Sequence, residues 1–273
     1  IVLLSSIVVT YGFDGLQIAT MMAGIMLLLM SVAKLGNVIR FIPAPVIMGF
    51  TAGIGVTIWV GQWPYFFGFP SLPYVEHFHE KLWLMIQSLP YSDIPTLCIS
   101  IFSLILLLVL PKIPYINKVP APIVAMVIAT FIQGYYQFPT VQTIGTAFGG
   151  IPQGLPEFSF PSLSLDKIFS LMGPAFTIAM LGAIESLLSA VVADGMSGQK
   201  HESNTELFGQ GLANIFAPLF GGIAATGAIA RTATNIRQGG TSPLAGIVHA
   251  ITLGAILLFL APYAVYIPLA SMA

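Results

Sequence analysis

Long apolar runs separated by short polar turns dominate this sequence. Hydrophobic residues occupy 56% of the 273 positions and charged residues only 7%, whereas soluble domains carry roughly 25% charged residues. Runs of about 20 apolar residues have the length of helices that cross a hydrocarbon core about 30 Å thick. We therefore expect an all-α polytopic membrane protein that is surrounded by the lipid bilayer.

Turn residues divide the apolar runs into predicted spans. A partial span covers 1–11, full spans cover 15–35, 43–67, 94–111, 120–137, 168–194, 205–220 and 242–262, a broken span covers 222–238, and a further span begins at 266–273. Residues 76–90, which include Trp83, predict an amphipathic helix at the membrane interface. Because the first and last residues lie within apolar runs, we expect the chain to be the middle part of a larger membrane domain.

The distribution of basic residues gives this division an orientation. Under strict alternation of the spans, one side of the membrane receives Lys34, Arg40, Lys112, Lys118, Lys200 and Arg237. The other side receives only Lys81 and Lys167. The positive-inside rule therefore assigns the first side to the cytoplasm.

Two predicted spans contain charged residues. Span 168–194 carries Glu185 near its middle, and the Gly-, Ala- and Thr-rich span 222–238 carries Arg231. A guanidinium stays charged in proteins, and placing it at the centre of a membrane helix costs about 2.5–3.5 kcal/mol on insertion scales. Unwound backbone at membrane depth lines a cavity or is buried in protein, and such broken segments point to the binding site of a transporter.

An anion-binding site is the chemistry that the broken span favours. If the chain is extended through 223–229 and becomes helical at Ala230 or Arg231, the new helix presents free N–H groups and a positive dipole end. Backbone donors of this kind bind anions without any side chain, and Arg231 adds a full positive charge. The candidate anion-binding residues are Thr226, Gly227, Ala228, Ile229, Ala230 and Arg231.

Glu185 and Ser189 form the candidate coupling-ion site. They are four residues apart and therefore share one helix face. Protonation of Glu185 would leave more positive potential for an anion, so that a proton and an anion are carried together. Two structural alternatives remain: Glu185 forms an ion pair with Arg231, or a hydroxyl or backbone group satisfies its carboxylate. We find no metal-ligand spacing, nucleophile motif or cofactor motif, and we expect no enzyme activity, no cofactor and no nucleic-acid partner.

Residues 181–246 carry a family resemblance. The matching segments are ESLLSAVVADG at 185–195, HESNTEL at 201–207, QGLAN at 210–214, TGAIARTATN at 226–235 and the glycine pair at 239–240, with a weaker match FIPAPVIMGFTAG at 41–53. This pattern resembles the SulP sulfate-permease family, whose animal relatives are anion exchangers and the motor protein prestin. The resemblance covers nearly the whole chain.

The resemblance implies a fold of two inverted seven-span repeats with a core and a gate domain. Residues 1–11 then end the third span, and 15–35 and 168–262 complete the core, whereas 43–137 supply the gate. The broken tenth span, 222–238, would consist of a short strand followed by a half-helix. The spans that the chain lacks and the STAS domain that usually follows would lie outside it, and the full-length protein would be a homodimer.

The resemblance also implies residue roles and a function. Arg231 falls on the basic position of the anion site, and Glu185 on the acidic coupling position. Sodium-coupled bicarbonate members carry Thr where this chain has Ile229, so protons are favoured over sodium. We expect a secondary active transporter in a bacterial inner membrane that performs sulfate:proton symport by an elevator-like mechanism. Alternatives are a bicarbonate or C4-dicarboxylate symporter, or an uncoupled or chloride-type anion exchanger or channel of the same fold.

Overall fold

Helices make up the regular structure of this protein. The computed structural model describes residues 2–37, 44–73, 75, 77–113, 119–151, 154, 156–162 and 164–273. Its α-helices are α1 (Val2–Val32), α2 (Ala44–Phe67), α3 (Phe78–Ser88), α4 (Ile94–Val109), α5 (Ala121–Tyr136), α6 (Ile144–Phe148), α7 (Leu165–Ser197), α8 (Ser203–Leu219), α9 (Ile229–Arg237), α10 (Leu244–Ala255) and α11 (Ala261–Ala264). The all-helical prediction is confirmed at this level. Arg40, Lys118 and the first residues of the 41–53 motif lie outside the described residues.

Four helices of the described part are long and apolar enough to cross a membrane: Leu3–Val32, Ile94–Lys112, Leu165–Ser197 and Leu244–Ala264. The last of these runs from α10 through a π-helical turn at Ile256–Leu260 into α11. Large apolar side chains such as Val9, Phe131 and Phe259 are more than 70% exposed, as expected for surfaces that face lipid rather than water. The fold is therefore that of a membrane-embedded protein.

Gly12 divides α1 into two helical pieces. Its backbone (φ 73°, ψ 177°) lies in a region that essentially only glycine adopts. The break falls within the polar turn between the predicted spans 1–11 and 15–35. Just beyond it, Asp14 accepts a hydrogen bond from Ser162 (2.7 Å) and lies 3.7 Å from the Lys167 ammonium group. These contacts connect the broken turn to the start of α7.

The first of two compact units contains the described residues of 1–48 and 156–249. In this unit α1 packs against α7 and α8. The crossing of α1 and α8 is close because both helices carry glycine there: a Cβ atom at Gly24 would lie 2.7 Å from the Gly211 carbonyl oxygen. Small residues permit this close approach of membrane helices. The buried core of the unit includes Leu16, Ile18, Ala19, Leu27, Leu171, Ala175, Ala179, Leu187 and Leu207.

The second unit contains the described residues of 49–155 and 250–273. Its helix α4 begins after Asp93, whose carboxylate accepts hydrogen bonds from the Thr96 amide (2.9 Å) and from Thr140 (3.1 Å). Small cores form around Ile99 and Ala129 and around Val60, Phe69 and Met85. The predicted interfacial helix at 76–90 corresponds to α3, with an exposed Trp83. Residues 266–273 contain a 3₁₀ turn, Leu269–Ser271, and an isolated β-bridge between Pro268 and Thr143.

Candidate functional site

Glu185 is held near the middle of α7. This helix is 33 residues long, and the hydroxyl of Ser164, the residue that precedes and caps it, accepts a hydrogen bond from the Lys167 amide. Glu185 is half-buried, and its neighbours Ser186 and Ser189 are buried on the same helix. The Glu185 Oε2 atom accepts a 2.7 Å hydrogen bond from the Thr226 hydroxyl. That bond connects the acidic position of α7 to the broken segment.

The broken segment, residues 222–228, has no helix or strand. The predicted short strand before the half-helix is therefore not present, and no strand forms elsewhere in the described ranges. A side chain takes the place of a strand partner. Asn214 of α8 accepts from the Ala225 amide at 2.9 Å and donates to the Ala225 carbonyl at 2.9 Å. Because the side-chain amide of Asn214 pairs with both backbone polar groups of Ala225, the segment needs no neighbouring strand at this point.

Gly227 permits the segment to lie directly against α7. A Cβ atom at this position would be 3.1 Å from the Ser186 Cα, 3.2 Å from the Ser186 hydroxyl oxygen and 3.3 Å from the Ser189 Cβ. These distances are shorter than ordinary carbon–carbon contacts of about 3.5–4.0 Å. A residue larger than glycine would therefore push the segment away from α7 or force the helix to shift.

The start of α9 presents unpaired backbone donors. The helix begins at Ile229, one or two residues earlier than the predicted start at Ala230 or Arg231, and Ala228 caps it without a side-chain hydrogen bond. The first intrahelical bond runs from the Thr232 amide to the Ala228 carbonyl at 2.9 Å. The amides of Ile229, Ala230 and Arg231 have no acceptor among the described residues. Helix starts of this kind attract anions through their free N–H groups and their dipole.

Arg231 is exposed at this helix start. No ion pair joins it to Glu185 or to another acidic side chain among the described residues, where the pairs found are Lys167–Asp14 and His201–Asp194. The structural ion pair between Arg231 and Glu185 is therefore not formed. The other alternative, a hydroxyl that satisfies Glu185, matches the Thr226 contact. The guanidinium thus remains available to a bound anion.

Ser189 contacts α9 rather than Glu185. Its hydroxyl lies 2.9 Å from the Thr232 hydroxyl, and Ser189 is only 4% exposed. This contact ties the first turn of α9 to α7. Among the predicted site residues, the structure therefore brings together Glu185 with Thr226, and Ser189 with the helix that begins at Ile229.

A row of polar residues on α8 was missed by the sequence interpretation. The Ser186 hydroxyl lies 2.5 Å from Glu206 Oε1 and 3.4 Å from Gln210 Oε1. Gln210 also donates, through Nε2, to the same Ala225 carbonyl that Asn214 binds. Glu206, Gln210 and Asn214 are spaced four residues apart, which places them on one helix face. This spacing within an otherwise apolar helix was the signal that could have identified them.

The chemistry of this region is that of binding. The region combines hydroxyls, free amides and one guanidinium with the carboxylates of Glu185 and Glu206, and the described residues contain no group of three His, Cys, Asp or Glu side chains placed to hold a metal ion. Membrane-length helices with a broken, donor-rich segment characterise an integral membrane transport protein.

The chain belongs to the sulfate permease family, whose model matches residues 5–273. This family consists of transporters and not of enzymes. Both the predicted family and the predicted lack of enzyme activity are confirmed.

Three known proteins illustrate the relationship. YvdB of Bacillus subtilis (strain 168), provisionally named as a sulfate transporter, is 47% identical over 271 residues, which are 99% of this chain and 51% of that protein. The transmembrane domain of the cyanobacterial bicarbonate transporter BicA matches with a TM-score of 0.80 at 29% identity, over 99% of this chain and 69% of that domain. SLC26A9 matches with a TM-score of 0.81 at 20% identity, over 98% of this chain and 44% of its own, and shares the fold. The chain thus spans about half the length of YvdB.

Proposed function

We propose that the protein transports sulfate together with protons across the inner membrane of a bacterium. The observation that carries this proposal is the start of α9, where three uncapped amides and the unpaired Arg231 directly follow the segment whose Thr226 binds Glu185. The similarity to YvdB supports sulfate as the anion. The anion-binding residues would be Thr226, Gly227, Ala228, Ile229, Ala230 and Arg231, and Glu185 with Ser189 would form the coupling-ion site.

Coupling would act through the hydroxyl of Thr226. In the structure this hydroxyl donates its hydrogen to Glu185, and a hydroxyl has only one hydrogen to donate. When Glu185 binds a proton it loses its negative charge, and Thr226 is then free to donate to an anion. Both changes favour the anion at the start of α9, so that each ligand promotes binding of the other.

Protons are favoured over sodium because of Ile229. Its side chain is partly buried and packs against the apolar core of the first unit. It supplies no oxygen ligand, whereas hard cations such as Na⁺ are held by oxygen atoms, as are Ca²⁺ and Mg²⁺. A carboxylate that takes up a proton needs no further ligand, so Glu185 alone is sufficient for proton coupling.

We infer an elevator-like mechanism in which the unit that contains Glu185 and Arg231 is the moving core domain. Its helices α1, α7 and α8 share a continuous apolar core, which suits movement as a rigid body. Residues 43–137 would belong to the gate domain, and the full-length protein would be a homodimer with the remaining spans of two inverted repeats. Movement of the core would carry the site between the two membrane faces.

Bicarbonate is the second candidate substrate, because the BicA transmembrane domain matches 99% of this chain. Uptake of a labelled anion (sulfate, bicarbonate or succinate) into proteoliposomes that contain the full-length transporter, measured with each of the three as an unlabelled competitor, would distinguish the substrates. We expect unlabelled sulfate to inhibit uptake most strongly. Stronger competition by bicarbonate or succinate, with weak competition by sulfate, would refute the proposed substrate while leaving the site unaffected.

A further inference from the structure

The hydroxyl of Ser186 has more acceptors than it has hydrogens. Ser186 is completely buried in α7, and its Oγ atom lies 2.5 Å from Glu206 Oε1 and 3.4 Å from Gln210 Oε1. A serine hydroxyl has one hydrogen, and a carboxylate and an amide oxygen are both acceptors. If Glu206 is ionised, Ser186 can therefore satisfy only one of these two oxygen atoms.

The orientation of the Gln210 amide is fixed by its second contact. Its Nε2 atom donates to the Ala225 carbonyl oxygen, which can only accept a hydrogen bond. Reversing the amide would place two acceptors against each other at that contact. The oxygen of Gln210, and not its nitrogen, must therefore face Ser186.

One additional hydrogen resolves the conflict. We propose that Glu206 holds a proton in this conformation and is a second proton-binding carboxyl group of the transporter, besides Glu185. Glu206 then donates to Ser186, and Ser186 in turn donates to Gln210. Each of the three groups then has a hydrogen-bond partner, including the buried Ser186 hydroxyl.

No nearby cation compensates the negative charge that Glu206 would carry without its proton. No Lys, Arg or His nitrogen of the described residues lies within 4.0 Å of the Glu206 carboxylate. The titratable groups on the neighbouring half of α7, after α1 and in the turn before α8 are Glu185, Asp194, Lys34, Lys200, His201 and Glu202. His201 forms its ion pair with Asp194 at 2.8 Å. An ionised Glu206 would thus lie half-buried without a cationic partner, which is unfavourable in an apolar environment.

The proton on Glu206 has a direct connection to the anion site. Gln210 receives the hydrogen bond from Ser186 and holds the Ala225 carbonyl, only four residues before the start of α9. Loss of the proton would draw the Ser186 hydrogen to Glu206 and leave the Gln210 oxygen unsatisfied. The protonation of Glu206 therefore influences the segment that positions Arg231. This role in coupling rests on the proposed sulfate:proton symport, whereas the protonation itself does not.

Glu206→Gln tests the assignment, with Glu202→Gln as its matched control. Glu202 lies one helical turn earlier, and the backbone hydrogen bond from Thr205 lowers its pKa to about 2, so that it is ionised at neutral pH. The first measurement is the infrared carbonyl band of protonated carboxylic acid in the full-length transporter at neutral pH. We expect Glu206→Gln to remove a band that Glu202→Gln leaves unchanged. An identical band in wild type and Glu206→Gln would overturn the proposal.

The second measurement is the number of protons carried per sulfate in proteoliposomes. We expect Glu206→Gln to lower this ratio, to about half if each of two carboxyl groups carries one proton in every cycle, and Glu202→Gln to preserve it. An unchanged ratio in Glu206→Gln would refute the role of Glu206 in coupling. A wild-type ratio of zero would instead refute the proposed symport, and the infrared band would still decide whether Glu206 is protonated. If Glu206→Gln does not fold, Ser186→Ala should shift the same band, and an unshifted band would contradict the assignment.

Discussion

The pairing of Asn214 with the Ala225 peptide leads to a quantitative prediction for Asn214→Ala. The Asn214 side chain is 2% exposed and makes both of its contacts to Ala225 at 2.9 Å. After truncation, the Ala225 carbonyl keeps the Gln210 donor, but the Ala225 amide loses the acceptor that it has in the structure. Because Ala225 itself is exposed, the loss is that of an ordinary hydrogen bond, about 0.5–1.5 kcal/mol.

This cost would fall on the segment that positions the start of α9. If the segment moves so that the Ala225 amide bonds to water, the anion-binding conformation must be restored when sulfate binds. A penalty of about 0.5–1.5 kcal/mol corresponds to a weakening of binding by roughly 2-fold to 12-fold, because each 1.4 kcal/mol is a factor of ten. We therefore expect the KM for sulfate to rise by this factor, with a smaller change in kcat.

Sulfate uptake into proteoliposomes over a range of concentrations measures both constants. Asn214→Asp keeps the acceptor for the Ala225 amide and should have a smaller effect than Asn214→Ala. Asn204→Ala is the matched control, since it removes the contact with the Gly36 amide (3.0 Å) at the other end of α8. A KM in Asn214→Ala that equals that of Asn204→Ala would refute the claim that Asn214 positions the site.

Three further predictions concern the site and the start of α8. Arg231→Ala should raise the Kd for sulfate by roughly 10-fold or more, since hydrogen bonds to charged groups contribute about 1.5–3 kcal/mol; an unchanged Kd in calorimetry would remove Arg231 from the site. Gly227→Ala should destabilise the protein by about 1–3 kcal/mol through contact with Ser186, which thermal unfolding would detect, and an unchanged Tm would contradict the close packing. The stabilisation by Glu202 should be complete above its ordinary pKa of 4.5 and fade as the pH falls toward its folded pKa of about 2. The Tm difference between wild type and Glu202→Gln should therefore shrink below about pH 4.5, and a constant difference would argue against a stabilising hydrogen bond from the Thr205 amide to Glu202.

The sequence was sufficient to predict the helical membrane fold and the region of the site. The apolar runs and the scarcity of charge predict the helical membrane fold, because a helix satisfies its own backbone hydrogen bonds within a span. Arg231 and Glu185 indicate the region of the site, because charges within spans are costly. The break at Gly12 likewise falls in a turn that is visible in the sequence.

Other features depend on tertiary contacts that periodicity does not encode. The predicted strand before α9 was wrong because the Asn214 amide occupies the polar groups of Ala225. The contact between Ser186 and Glu206 joins residues 20 positions apart on two helices. Only the packing of α8 against α7 determines that these two side chains meet.

Sulfate accumulation under an imposed proton gradient tests the central claim most directly. The full-length transporter would be placed in proteoliposomes with the membrane potential clamped at zero, and labelled sulfate and internal pH would be recorded together. The account predicts that an inward proton gradient drives sulfate above its equilibrium level and that the interior acidifies as sulfate enters. Equal sulfate uptake with and without the gradient, without acidification linked to sulfate, would contradict it.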